Sequence, residues 1–166
     1  MITAYIALGS NLQNPEHQLR TAVTALAALR DSRLQQVSSV YRSAAIGPGQ
    51  QPDYLNAVAR LSTALAPEAL LDALQQQEQA QGRTRSVRWE ARTLDLDILL
   101  YGDAIIATER LTIPHPALGQ RNFALYPLQQ VCPANFVLPD GTDLDTLVRD
   151  CPAGKLTSTG LQLHNN

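Results

Sequence analysis

Two cysteines, one lysine, one methionine and one tryptophan in 166 residues define this chain first by what it does without. Cys132 and Cys151 are too few for a disulfide framework and lack metal-ligand spacing, so the expectation is two free thiols in a reducing compartment. Residues 1–8 have no basic leader, and no apolar run approaches membrane-spanning length, which predicts a cytoplasmic protein without a membrane partner. A formal net charge of −2 supplies no cationic excess for nucleic acid or an anionic surface. There is no Gly-x-x-x-x-Gly-Lys-Ser/Thr loop. Gly47, Gly49 and Gly82 form no dinucleotide fingerprint. Any nucleotide must therefore be held by other means.

What positive charge exists is nearly all arginine, 12 of the 13 basic residues, with Lys155 the exception. Arginine's planar fork suits bidentate phosphate contacts. Arg83, Arg85, Arg88 and Arg92 fall within ten residues around Trp89, a segment too polar for a core and suited to clamp a polyphosphate as a lid. Directly after it, Asp95 and Asp97 sit two apart in an aliphatic run. Strand alternation sends both to one face and Leu94, Leu96, Ile98 and Leu100 to the other. Two adjacent anions in a half-buried strand repel and lose hydration. A hard cation such as Mg2+, shared with substrate phosphates, relieves both costs.

A composition of 45% hydrophobic and 17% charged residues fits one globular domain over residues 1–166. Apolar periodicity predicts strands at 2–8, 34–41, 54–64 and the aspartate segment, with helices over 15–30 and from Pro67 to near Gly82. That order is a ferredoxin-like βαββαβ α+β sandwich. Beyond it lie a C-terminal extension with helices over 122–131 and 144–149, and a polar tail after Lys155 read as mobile.

Three further groups carry chemistry. His115, fixed between Pro114 and Pro116, lies near Arg110, Thr112 and Arg121, a set suited to phosphate. Tyr54 and Asn56 share a strand face and could receive a flat heteroaromatic ring by stacking and hydrogen bonds. Gln75 and Glu78 extend the Leu71/Leu74 stripe of the second helix, as a wet helix end or as ligand contacts.

The runs Tyr5-Ile6-Ala7-Leu8-Gly9-Ser10-Asn11-Leu12, Gln51-Pro52-Asp53-Tyr54-Leu55-Asn56, Gly82-Arg83-Thr84-Arg85, Arg92-Thr93-Leu94-Asp95-Leu96-Asp97-Ile98 and Ile113-Pro114-His115-Pro116 occur in this order. Together they make the chain resemble the 6-hydroxymethyl-7,8-dihydropterin pyrophosphokinase family from Ala4 to about Asp140. The resemblance implies transfer of pyrophosphate from ATP to the pterin hydroxymethyl group, with release of AMP. It implies two Mg2+ ions on Asp95 and Asp97, and Arg83 and Arg92 as catalytic phosphate contacts. Gln75, Glu78, Ile98, Arg110, Thr112, His115 and Arg121 match ATP-site positions. Asn11, Ser43, Ile46, Tyr54, Asn56, Trp89, Asp95 and Phe123 match the pterin site, with Tyr54 and Phe123 as the aromatic sandwich. Glu90-Ala91 stands where the family often has Gly-Pro, and Ser43-Ala44-Ala45 replaces a more proline-rich wall. A monomer is expected.

Two alternatives remain at this level. One is a phosphoryl or nucleotidyl transferase acting on another heterocyclic alcohol. The other is a non-catalytic binding module, including an RNA-binding one, against which the missing basic excess and missing paired sheet aromatics speak.

Overall fold

The computed structural model describes residues 1–45, 52–82 and 94–165. Strand β1 (Ile2–Ser10) leads into helix α1 (Pro15–Ala27), which opens on proline at its first turn with the Asn14 side chain accepting the His17 N–H. The helix buries Leu19, Ala22, Val23 and Leu26. It stops three residues short of the expected Arg30, and Asp31, in a left-handed conformation (φ 54°), then turns the chain into the sheet.

The predicted second strand is two strands, β2 (Ser32–Val37) and β3 (Ser39–Ser43). The break is at Ser38, whose Oγ accepts the Val58 N–H at 2.9 Å where a strand carbonyl would otherwise do so. Both halves pair with β4 (Tyr54–Thr63). Helix α2 (Pro67–Ala80) starts on the expected proline and carries the stripe Leu70, Leu71, Leu74 and Glu78 inward. It is followed by β5 (Asp95–Tyr101), the short hairpin β6 (Ile106–Ala107) and β7 (Thr112–Ile113), α3 (Asn122–Val131), α4 (Leu144–Asp150) and β8 (Thr157–Gln162).

The main sheet runs β5-β1-β4-β3-β8, with β2 beside β4, and all of its pairings are antiparallel. The architecture is α+β. The polar tail is a strand instead of a mobile end: β8 pairs with β3, and the Thr159 hydroxyl donates to the Val40 carbonyl at 2.8 Å. Backbone pairing fixes it without an apolar pattern to announce it.

Two cores flank the sheet. One gathers Ile6, Leu8, Leu61, Leu96 and Ile98 under α1 and α2. The other gathers Tyr5, Val58, Leu99 and Leu100 under α3 and α4. Leu100 departs from the expected alternation because the β1–β5 register shifts between Tyr5 and Ile6, leaving Leu99 unopposed and turning Leu100 to the α3 side. Upstream of that bulge the alternation holds.

Candidate active site

Past the N-terminal end of α3, no α-helix among the described residues covers the second face of the sheet. Here β1, β4 and β5 present Gly9, Asn56 and Asp95 in adjacent registers. They floor a cavity of about 540 Å³, a size that suits a small ligand. β1 contributes Ala7 and Gly9, β4 Tyr54 and Asn56, and β5 Asp95, Asp97 and Leu99. Ser43 and Ala44 close one side. His115, Ala117, Leu118, Gln120, Arg121, Phe123 and Ala124 form the opposite wall.

Asn56 is buried and donates Nδ2 to the Ser43 hydroxyl at 2.8 Å and to the Tyr41 carbonyl at 3.3 Å. These bonds fix its amide plane, with Oδ1 toward Gly9. The Arg121 guanidinium lies 5.7 Å from the centre of the Phe123 ring, a cation–π contact that orders both. His115 donates its backbone N–H to Leu99 at 3.0 Å, and its Nδ1 accepts the Ala117 N–H at 3.2 Å. Its remaining proton therefore sits on Nε2. Burial, and then the positive Arg121 nearby, lower its pKa to about 4.

A second polar group lies near β7. Arg110 donates to Glu68 at 3.0 Å and to Gln75 at 3.3 Å, and pairs with Asp72. The Asp72 hydrogen bond, then its charge, raise the guanidinium pKa further. Glu78 is buried beneath β5 with its carboxylate on the Leu96 N–H at 2.8 Å.

The structure thus gathers Ser43, Tyr54, Asn56, Asp95, Asp97, His115, Arg121 and Phe123 around one cavity. Six expected site residues lie elsewhere. Asn11 is buried and ties β1 to the Pro52 carbonyl at 3.1 Å. Ile98 faces the first core, and Gln75, Glu78, Arg110 and Thr112 fall around α2 and β7. Ile46, Arg83, Trp89 and Arg92 lie outside the described residues. Sequence reasoning missed Ala7, Gly9 and Gln120. The first two carried a signal, since strand alternation from Tyr5 puts both on the Asn56 side.

Among the described residues no three His, Cys, Asp or Glu side chains gather into a metal cage. Two hard carboxylates on one face still suit Mg2+, which is commonly held by one or two carboxylates with the remaining positions on phosphate and water.

Residues 5–133 match the family of 7,8-dihydro-6-hydroxymethylpterin-pyrophosphokinase. The chain belongs to this family. It is 52% identical over 149 residues to the Haemophilus influenzae 2-amino-4-hydroxy-6-hydroxymethyldihydropteridine pyrophosphokinase, covering 90% of this chain and 92% of that one. It is 49% identical to the Pseudomonas aeruginosa pyrophosphokinase of the same name, over 89% of this chain and 91% of that one. Its fold is similar to Plasmodium falciparum HPPK-DHPS solved with pterin and p-hydroxybenzoate, at TM-score 0.69 and 14% identity, covering 89% of this chain. The chain spans 42% of that longer protein. As a member of the family it is an ATP-dependent diphosphotransferase.

Proposed function

We propose that the cavity over β1, β4 and β5 is where this pyrophosphokinase brings its two substrates together. The enzyme transfers pyrophosphate from ATP to the hydroxymethyl group of 6-hydroxymethyl-7,8-dihydropterin in folate biosynthesis, giving AMP and the pterin diphosphate. One bond forms, between the hydroxymethyl oxygen and the β-phosphorus. One breaks, the bridge between the α- and β-phosphates.

The observation that carries the reading is the shared wall: Asp95 and Asp97 line the same cavity as Tyr54, Asn56 and Phe123. The pterin ring lies between Tyr54 and Phe123, with the Asn56 Oδ1 accepting from its edge N–H groups. Ser43 steadies Asn56, and Asn11 and Ile46 belong to the rim. ATP lies along the outer side of β5, among Gln75, Ile98, Arg110 and Thr112. His115 offers a neutral Nε2–H to its phosphates, and Arg121 a full positive charge. Arg83, Arg92 and Trp89 come from the preceding segment on the strength of the family match, the arginines to the phosphates and the tryptophan to the pterin.

Asp95 and Asp97 would hold two Mg2+ ions. When bound, Mg2+ supplies charge that eases loss of the hydroxyl proton and offsets charge on the transferring phosphates. The protein's own part is positioning and exclusion of water; no side chain is nominated as base. The core is read as the ferredoxin-like βαββαβ sandwich, which the order β5-β1-β4 followed by β2 and β3 supports. The single domain is further read as a cytoplasmic monomer that binds neither nucleic acid nor membrane. Among the described residues no helix is long and apolar enough to cross a membrane.

Asp97→Asn tests the metal reading. Turnover is expected to fall about a hundredfold or more, with an unchanged far-UV spectrum. Near-parental turnover at limiting Mg2+ would remove Asp97 from the metal site.

A further inference from the structure

Glu78 is 2% exposed and occupies a position where the Leu71/Leu74 stripe of α2 calls for another apolar side chain. A carboxylate there loses hydration, and packing alone would be served as well by leucine. Its Oε2 accepts the backbone N–H of Leu96 at 2.8 Å, the one residue between Asp95 and Asp97. Among the described residues β5 is the last strand of the sheet on this side. Its inner edge is fixed by β1, with Asp95 opposite Gly9 and Asp97 opposite Ala7. The Leu96 N–H points the other way, toward α2. Three residues on, the Leu99 carbonyl accepts the His115 N–H at 3.0 Å. The outer rim of β5 is thus held on both sides of Asp97.

We propose that Glu78 is a positioning residue for the metal-bearing strand: its carboxylate grips the backbone at Leu96 so that the Asp95 and Asp97 side chains keep a fixed spacing toward Mg2+. The resemblance to the family implies an ATP contact at this position; the hydrogen bond makes it act through the strand. The inference rests on the metal reading of Asp95 and Asp97. A backbone anchor one residue from each ligand resembles the outer hydrogen bonds that orient metal ligands elsewhere.

The test uses the full chain. In the parent protein without ligands, the Leu96 amide is expected to exchange as slowly as paired sheet amides, although it faces away from β1. In Glu78→Leu that protection is lost. Affinity for Mn2+, titrated in the presence of a non-hydrolysable ATP analogue, falls about tenfold or more. Affinity for the analogue in the absence of divalent metal stays within about twofold. Glu78→Gln, which keeps an acceptor oxygen, restores most of both losses. Parental Mn2+ affinity in Glu78→Leu overturns the proposal, as does a Glu78→Gln variant that loses as much as the leucine variant. If the leucine variant does not fold, a Leu96 amide in the parent that exchanges like an exposed one overturns it. A parent protein that binds no Mn2+ overturns the metal reading itself, and this role with it.

Discussion

His115 takes the Ala117 N–H on Nδ1 and is half-buried beside Arg121; desolvation first, and then the Arg121 charge, lower its pKa to about 4. The unfolded chain protonates the same histidine near pH 6.5, so the unfolded state binds more protons between those values and native stability falls as pH drops through that window. Solvent screening of the half-buried ring keeps the loss below the ~3 kcal/mol that the full shift would give. Urea midpoints measured from pH 7 to pH 4 should fall more steeply in the parent than in His115→Gln, and parallel slopes would contradict the assignment. Gly9 makes a different kind of contribution. A Cβ there would meet Tyr54 Cδ1 and Asn56 Oδ1 at 3.6 Å, ordinary contact distance. Gly9→Ala should therefore leave the melting temperature nearly unchanged while filling the floor of the ring slot. Pterin affinity, followed by ligand fluorescence, is expected to drop about tenfold, the loss of one well-placed contact. Period-two alternation put Asp95 with Asp97, and Tyr54 with Asn56, on shared strand faces from the sequence alone. The location of Arg110 was not legible, because its carboxylate partners Glu68 and Asp72 lie about forty positions away in sequence and meet it only once α2 packs beside β7.

At the level of elements, the helices declared themselves through proline starts and apolar stripes, and α3 falls where its periodicity put it. The strands were harder. Nothing local distinguishes one strand over residues 34–41 from β2 and β3, since the break comes from a hydroxyl meeting the Val58 N–H across the sheet. β8 was invisible for the same reason: six residues with only Gly160 and Leu161 outside the polar set pair with a strand well over a hundred positions away. This strand braces β3, whose Ser43 holds the Asn56 amide. Removing residues 156–166 should lower the thermal midpoint by a few degrees, about 1–2 kcal/mol for the lost pairing. It should also weaken pterin binding more than ATP binding. Equal losses for the two ligands, read by calorimetry, would mean that β8 supports the fold without reaching the cavity.

Across the whole molecule the sheet separates two cores, and the cavity wall that carries Phe123 is built on the second. Leu125 is fully buried between α3 and the sheet, two residues after Phe123. Leu19 is equally buried on the opposite face, under α1. Either leucine changed to alanine should cost about 2–5 kcal/mol in urea unfolding. The two variants should differ in function: Leu125→Ala loosens the helix that carries Phe123 and raises the KM for the pterin, whereas Leu19→Ala leaves it near the parental value at low temperature. A shared core effect would move both KM values together.

The outer rim of β5 has a consequence for how copies of the molecule meet. An edge strand ordinarily offers its backbone N–H and C=O groups as a template on which another chain can extend the sheet. Here the Glu78 carboxylate and the His115 amide already engage Leu96 and Leu99, so these two groups are not offered to an incoming strand. The opposite side ends in β8 and, beside β4, in β2; in β8 Gly160 at φ 78° interrupts the extended backbone. The same hydrogen bonds that hold the aspartate strand in place thus take up backbone groups that an added strand would need.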